Sequence, residues 1–238
     1  DALLLPEGDL GALELSDIID VEAMRDILVS FSSITHISVA IIDLNGKVLA
    51  AGGWQDICTR FHRVHPETCR NCIESDTILT EGVPQGAFKQ YRCKNNMWDI
   101  ATPIVVGGKH LGNLFLGQYL HEDETPDYGV FREQARRYGF DEEAYIAALE
   151  QVPRLSGQTI EMVMRFYTQL ATLISHLSYS TLRLARALED RKKAETALRE
   201  SERQFKTMFE TAPYSCAVTD LEGRYLMVNQ AFGELFGL

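Results

Sequence analysis

Apolar positions recur along the chain at two spacings, one typical of helices and one of strands. Between residues 18 and 31 they recur every three or four positions, which predicts a helix with Asp20 as its N-cap and an end near Thr35. Two apolar runs then flank Asn45-Gly46, the dipeptide most typical of a β-hairpin turn. Further helices are predicted over residues 55–63, 66–82, 128–138 and 142–149, and further strands over 88–92, 97–106 and 109–120, with Gly107-Gly108 as the turn between the last two.

A long helical pattern with a heptad repeat occupies the last third of the chain. From Gln158 it continues for about fifty residues without Gly or Pro. The seam positions alternate three and four residues apart and are Leu170, Leu173, Leu177, Ser180, Leu184, Ala187, Arg191, Ala194, Leu198, Ser201 and Phe205. This seam predicts a parallel dimeric coiled coil beyond Leu177, and therefore a homodimer. The alternative is an amphipathic helix that packs on its own domain.

An internal repeat suggests two domains with the same opening. Residues 40–49 and 217–226 are identical at five of ten positions, and each copy carries the turn sequence Asp-Leu-x-Gly. Gly in such a turn takes a positive φ, and Asp accepts hydrogen bonds from the turn backbone. The sharper interpretation is a tandem pair of related domains, the second cut short after its first hairpin. The alternative is that a common turn sequence recurs by chance.

The charge of the chain argues against nucleic-acid binding. Its 23 Lys and Arg against 34 Asp and Glu give a net charge of −11. Affinity for nucleic acid comes from neutralising phosphates with basic side chains, so we expect no nucleic-acid partner. No apolar run approaches the ~20 residues that a membrane helix needs, and no signal peptide is recognisable. We therefore expect no membrane contact within this segment and a cytoplasmic location.

Four of the five cysteines, Cys58, Cys69, Cys72 and Cys93, are clustered in the sequence. Four thiolates are a typical ligand set for structural zinc, and an iron–sulfur cluster uses the same ligands. We predict a metal site at these four residues, with zinc as the first choice and an iron–sulfur cluster as the alternative. His62 or His65 could replace one thiolate, and plain buried thiols remain the third interpretation.

Aromatic and polar residues near the predicted strands are candidates for a ligand pocket, because such pockets are mostly apolar with a few placed polar groups. The candidates are Trp54, Trp98, Asp99, Phe115, Gln118 and Tyr119. Neighbouring strand residues face opposite ways, so at most one of Trp98 and Asp99 points into the pocket. Gln118 shares a face with Phe115 only if a bulge intervenes, which Gly112 and Gly117 make plausible. The alternative for each aromatic residue is ordinary core packing.

The C-terminal residues resemble the opening of a PAS domain. The resemblance is carried by Phe205-Lys-Thr-Met-Phe209, Ala212-Pro213, the Asp220-Leu-Glu-Gly-Arg hairpin and Val228-Asn-Gln-Ala-Phe232. Residues 178–205 are similar to the signalling helix that precedes PAS domains in sensor kinases.

Residues 16–176 resemble the PocR sensory domain, a PAS-like ligand-binding family. The matching motifs are Gly53-Trp-Gln-Asp-Ile-Cys58, Phe61-His-Arg-Val-His-Pro66, Cys69, Cys72, Ser75-Asp76, Cys93, Trp98-Asp-Ile-Ala-Thr-Pro-Ile104 and Gly108-Lys-His-Leu-Gly-Asn-Leu-Phe-Leu-Gly-Gln118. The resemblance implies an α+β fold, in which helices flank a central antiparallel PAS-like sheet, followed by a long coiled-coil helix and a truncated PAS segment.

These resemblances imply four segments and a sensory role. The segments are a disordered N-terminal stretch (1–15), the PocR-like domain (16–176), the signalling coiled-coil helix (177–204) and the start of a PAS domain (205–238). We expect a non-catalytic module of a signalling protein, such as a two-component sensor histidine kinase, that binds a short diol or hydrocarbon derivative and signals through a dimeric helix. The alternative is a redox or metal sensor that uses the four cysteines.

Overall fold

The computed structural model describes residues 13–78 and 81–237, and this part of the chain divides after Leu182 into two compact units. The first twelve residues of the predicted disordered stretch lie outside the described residues. At the end of that stretch, Leu15 starts a 3-10 turn, Leu15–Asp17, and its side chain is fully buried in the core. No helix in the described part of the chain is long and apolar enough to cross a membrane.

A mostly antiparallel sheet forms the centre of the first unit. Its strands are β1 (Ser38–Asp43), β2 (Val48–Gly52), β3 (Lys89–Arg92), β4 (Trp98–Val106), β5 (Lys109–His121) and β6 (Arg154–Leu155). Their order is β2-β1-β5-β4-β3, and the short β6 pairs in parallel with β5. The predicted α+β fold with a central antiparallel sheet is confirmed.

The helices of the first unit lie where the hydrophobic pattern predicts them. They are α1 (Val21–Thr35), a π-helical segment (Ile57–His62), α2 (Pro66–Ile78), α3 (Tyr128–Tyr138), α4 (Glu142–Glu150) and the N-terminal part, up to Leu182, of the long α5 (Gly157–Thr211). Asp20 caps α1, since its carboxylate accepts a hydrogen bond from the backbone N–H of Ala23 at 3.0 Å. The predicted second helix of the cysteine region ends at Ile78, and residues 79–80 of that prediction lie outside the described residues.

The two faces of the sheet belong to different side-chain clusters. Along β1, Val39 and Ile41 join the main core, which includes side chains of α1 and α5. The alternate residues Ala40 and Ile42 face the other way and pack with Phe115. This alternation follows from strand geometry. It leaves the second face free to carry a site that α5 does not cover.

A bulge interrupts the pairing of β4 with β5 beside this second face. Trp98 pairs with Tyr119 and Asp99 pairs with Gly117, so Gln118 is the extra residue on β5. Its φ of 62° lies in the left-handed region, which costs a non-glycine residue about 1 kcal/mol or more. The bulge raised at the sequence level is therefore present, at Gln118.

The second unit contains the C-terminal part of α5, a two-stranded hairpin and a short helix. The hairpin strands are β7 (Ala217–Thr219) and β8 (Tyr225–Val228), and the helix is α6 (Gln230–Phe236). Asn229 caps α6 by accepting a hydrogen bond from the backbone N–H of Phe232.

The two copies of the internal repeat fold into the same turn. In the first copy, Asp43 Oδ1 accepts hydrogen bonds from two turn N–H groups at 2.9 and 2.8 Å, and Gly46 has a φ of 80°. In the second copy, Asp220 Oδ1 accepts the corresponding two at 3.0 and 2.9 Å, and Gly223 has a φ of 82°. The repeated sequence therefore encodes a repeated structure.

Candidate functional site

Two small neighbouring cavities lie on the sheet face that α5 does not cover. The aromatic cavity is lined by Ser38, Val39, Ala40, Ile42, Trp54, Phe115 and Gly117. The thiol cavity is lined by Cys58, His62, Cys72 and Cys93. Both are also lined by Arg63, Asp76, Asp99 and Gln118, and each has a volume of about 20 Å³. A cavity of that size holds about one water molecule.

Asp99 of β4 stands between the two cavities, and its position depends on the glycine opposite. Its Oδ1 accepts a hydrogen bond from the backbone N–H of Gln118 at 3.1 Å. A Cβ atom at Gly117 would lie only 2.0 Å from the same oxygen, so the carboxyl occupies space that any side chain at position 117 would take. Burial, with the nearby Asp76 adding to it, raises the pKa of Asp99 to about 7.

Gln118 reaches the cavities because of the bulge that it forms. Its side-chain Oε1 accepts a hydrogen bond at 2.6 Å from the backbone N–H of Gln55, in the segment before the π-helical turn. Its own N–H holds Asp99. Non-glycine residues in the left-handed region are concentrated at functional sites, where the surrounding structure maintains the strain. The strained Gln118 therefore connects Asp99 of β4 to the backbone of Gln55.

A buried ion pair forms the wall that the two cavities share. Arg63 Nη2 donates to Asp76 Oδ2 at 2.5 Å, and both side chains are largely shielded from solvent. The guanidinium also lies 4.5 Å from the centroid of the Trp54 ring, within the range of a cation–π contact. The charge of each ion is therefore compensated inside the protein.

The thiols of Cys58, Cys72 and Cys93 come together at the thiol cavity from three separate elements. Asn95 Nδ2 donates to Cys72 Sγ at 3.2 Å, and the backbone N–H of Met97 donates to Cys93 Sγ at 3.4 Å. Burial raises the pKa of all three thiols, that of Cys72 to about 12. The three side chains are therefore protonated at neutral pH in the absence of a ligand that would deprotonate them.

His62 connects the thiol cavity to the helices on its outer side. Its Nδ1 lies 3.8 Å from Cys58 Sγ, and its Nε2 lies 2.6 Å from the hydroxyl of Tyr145, which itself donates to Gln134. Since the Tyr145 proton is used on Gln134, His62 is assigned as the tautomer that donates from Nε2. Burial, reinforced by Arg63, lowers the pKa of His62 to about 3, so the ring is neutral.

Four of the six predicted pocket residues line the cavities: Trp54, Asp99, Phe115 and Gln118. Trp98 and Tyr119 do not, because they occupy alternate positions and pack with other side chains of the core. Trp98 Nε1 donates to Glu124 at 2.7 Å, and the Tyr119 hydroxyl accepts from Gln90 at 3.0 Å. Strand alternation thus assigns Asp99, and not Trp98, to the cavity side of β4.

The cysteines do not all meet. Cys69 lies on α2 three residues before Cys72, but it does not line the thiol cavity with the other three. Among the described residues, no group of three or more His, Cys, Asp or Glu side chains is arranged to hold a metal ion. Metal binding at Cys58, Cys69, Cys72 and Cys93 therefore stays a prediction.

Sequence reasoning did not select Arg63 or Asp76 as site residues. Asp76 follows Cys72 by four positions, so helical periodicity alone places both on one side of α2. Arg63 is the last residue of the predicted first helix of the cysteine region, and helical periodicity gave no such signal for it. Its role depends on a contact with Asp76 thirteen residues away.

Comparisons with known proteins identify two domain types in the chain. The family model described as the sensory domain found in PocR matches residues 17–179, and a PAS domain model matches residues 203–238. Sensory domains of these two types are typically non-catalytic. None of the curated proteins matches the chain.

A crystal structure of the E. coli DhaR(N)-DhaL complex is among the similar solved structures. It shares 13% sequence identity at a TM-score of 0.30, covering 94% of this chain and 63% of that one. The chain thus spans less than two thirds of that protein, and a TM-score this low carries no structural argument. The PocR model covers well over half of the chain, and the chain therefore belongs to the family of sensory domains found in PocR.

Proposed function

We propose that the chain senses a small neutral organic molecule with hydroxyl groups, such as a short diol or hydrocarbon derivative, where the aromatic and thiol cavities meet. The observation that carries this proposal is a buried polar cluster, Arg63, Asp76, Asp99 and Gln118, within an otherwise apolar sheet face. A few placed polar groups in a mostly apolar lining are typical of ligand sites. Because Asp76 already compensates the charge of Arg63, an anionic ligand would have no free counterion, and we take a neutral ligand as the first candidate.

The size of the cavities limits the ligand to a few heavy atoms and requires movement. Each cavity holds about one water, so even a short diol has to displace part of the wall. Trp54 is only partly buried and rests on Arg63, which makes this contact the most accessible part of the wall. A ligand that binds the opened wall better than the closed one shifts the population between the two states.

β4 provides a route from the cavities to α5. At one end of the strand, Asp99 lines both cavities. Near the other end, the backbone N–H of Val105 donates to the Ser175 hydroxyl on α5 at 3.1 Å. In this proposal, a change at Asp99 alters the seating of β4 against α5, and α5 carries the signal to an output such as a histidine kinase in the cytoplasm.

We infer that α5 acts as a dimer. Several leucines of its heptad seam are exposed in the single chain, including Leu173, Leu177, Leu184 and Leu198. A second copy of the same helix would cover them in a coiled coil. The homodimer through α5 thus explains an apolar seam that would otherwise face water.

Ligand binding is tested by titrating the full chain with ethane-1,2-diol, propane-1,2-diol and butane-1,2-diol. Calorimetry measures the affinity for each diol, and the melting temperature is measured with and without it. Binding to the folded state raises the melting temperature by mass action. The Ala40→Val variant fills the aromatic cavity and should weaken binding, whereas Ala50→Val, at an equally buried position in the main core, should not. Absence of saturable binding to the wild-type chain would overturn the proposal.

The second candidate is a metal or redox sensor, favoured by the meeting of three thiols at one cavity. Zinc, or an iron–sulfur cluster, would take thiolate ligands from these residues after a rearrangement. The redox version is weaker, because buried protonated thiols react slowly with oxidants. Metal analysis of the purified chain tests it: stoichiometric metal that is lost in Cys58→Ser and kept in Cys69→Ser would support a site at the thiol cavity, and metal-free protein would contradict it.

A further inference from the structure

Tyr91 on β3 has a buried hydroxyl group with no hydrogen-bond partner in the described part of the chain. A buried polar atom left without a partner costs about 1–3 kcal/mol, so it needs a physical explanation. The residue is not among those selected from the sequence. It stands at the edge of the sheet next to β4.

The strand register places Tyr91 beside the candidate site. Tyr91 pairs with Asp99 across β3 and β4, and residues that pair directly lie about 4.5–5.5 Å apart and point to the same face. Asp99 itself lines the thiol cavity, and so does Cys93, which follows Tyr91 by two residues. The phenol therefore stands at the margin of that cavity.

The chemistry of the hydroxyl fits a neutral ligand. A phenol both donates and accepts a hydrogen bond, as an alcohol does. Asp99 Oδ1 accepts a hydrogen bond from the Gln118 N–H, and the Asp99 carboxyl also hydrogen-bonds with the Cys93 side chain. A carboxyl group has two oxygens with several acceptor positions, so it can still bind a further hydroxyl group. Tyr91 and Asp99 as neighbours can thus address two polar groups on adjacent carbons of one small molecule.

We propose that the Tyr91 hydroxyl is a ligand-binding group of the thiol cavity and hydrogen-bonds a hydroxyl of the bound molecule. This inference rests on the proposed function, the binding of a small hydroxyl-bearing compound. The ligand would then supply the hydrogen-bond partner that the Tyr91 hydroxyl lacks among the described residues. It also makes Tyr91 a specificity residue, which favours a 1,2-diol over an alcohol with a single hydroxyl.

The test is the variant Tyr91→Phe in the full chain, with Tyr167→Phe as its matched control. Tyr167 also has a buried hydroxyl without a partner in the described residues, but it lies in the main core with Phe31 and α5. Calorimetric titration with propane-1,2-diol and with propan-1-ol measures affinity, and melting without ligand measures stability. In Tyr91→Phe the affinity for the diol should fall about 2- to 10-fold and the preference over propan-1-ol should narrow, following the net worth of one hydrogen bond.

The two variants separate a binding role from a structural one. Because both remove an unsatisfied hydroxyl, both should melt at or above the wild-type temperature without ligand, and Tyr167→Phe should keep wild-type affinity. Unchanged diol affinity in Tyr91→Phe overturns the role of Tyr91 and leaves the proposed function standing. A lower melting temperature of ligand-free Tyr91→Phe, or an equal loss of affinity in Tyr167→Phe, also overturns it. If the wild-type chain does not bind the diol, both proposals fall.

Discussion

Adding one methyl group at Gly117 should lower the free energy of unfolding, because the Asp99 carboxyl occupies the space that the methyl group would need. A Cβ there would lie 2.0 Å from Asp99 Oδ1 and 3.1 Å from its Cγ, with the carboxyl fixed by the Gln118 N–H. In Gly117→Ala the carboxyl has to move by more than about 1 Å to restore normal contact, which breaks this hydrogen bond. The substitution therefore displaces the Asp99 carboxyl while residue 99 remains an aspartate.

The magnitude follows from two contributions. Overpacking a closed core costs about 1–3 kcal/mol, and losing a hydrogen bond at a buried acceptor costs about 1–3 kcal/mol more. Part of the second contribution is recovered if the displaced carboxyl finds water in the neighbouring cavity. We expect a loss of about 2–4 kcal/mol in the free energy of unfolding, equivalent to at least about 4 °C in melting temperature for a unit of this size.

Urea denaturation, monitored by tryptophan fluorescence, measures the loss of unfolding free energy in the first unit, which contains Gly117. The two tryptophans, Trp54 and Trp98, both lie in the first unit, so the signal does not report on the second. Gly157→Ala is the matched control, because a Cβ at that position meets no atom within 4 Å. The control should keep wild-type stability to within about 0.5 kcal/mol.

A double-mutant cycle isolates the clash itself. In an Asp99→Ala background the nearest remaining atom to the new methyl is the Cβ of residue 99 at 3.7 Å, an ordinary contact. The added cost of Gly117→Ala should then shrink by about 2 kcal/mol, since the two residues no longer compete for space. An equal cost in both backgrounds would refute the reasoning, as would a single variant as stable as the wild type.

Two further predictions use matched pairs of substitutions. Arg63→Met leaves Asp76 buried without its counterion and should lower the free energy of unfolding by about 2–4 kcal/mol in the same urea assay. Arg60→Met removes an exposed ion pair three residues earlier and should lower it by less than about 1 kcal/mol. Equal losses in the two variants would contradict a stabilising role of the buried pair. Leu184→Asp should weaken dimerisation of the full chain about tenfold or more, as measured by analytical ultracentrifugation. Leu188→Asp changes a similarly exposed leucine outside the heptad seam and should have a smaller effect. The reverse order would contradict a dimer interface along the seam.

Local signals in the sequence were sufficient for most elements of the fold. The Asp20 cap, the Asp-Leu-x-Gly turns and the Gly107-Gly108 hairpin each depend on residues within a few positions of one another. Their geometry follows from side-chain to backbone hydrogen bonds and from glycine at positive φ. The same locality made the long α5 evident, because a run without Gly or Pro has few alternatives to a helix.

The site was less predictable because its composition depends on pairing between distant strands. Alternation established that only one of Trp98 and Asp99 faces the cavities, but the choice depends on which sheet face the helices cover. The cysteine spacing was a weaker guide, since two thiols three residues apart on α2 need not meet at one cavity. Tyr91 gave no sequence signal, and only its pairing with Asp99 brings it to the site.

The bulge at Gln118 mechanically links the two faces of the sheet. On one side of it, the Gln118 N–H holds Asp99 at the cavities; directly after it, Tyr119 is fully buried in the main core that includes Met164 and Tyr167 of α5. A ligand that takes over the hydrogen bonds of Asp99 would remove one of the restraints on the strained Gln118, whose side chain would stay bonded to Gln55. Under the proposed function, relaxation of that residue would turn the backbone that carries Tyr119 and so alter the packing of Tyr119 against α5. A regular strand at this point would hold no left-handed residue and therefore no backbone strain that a ligand could release.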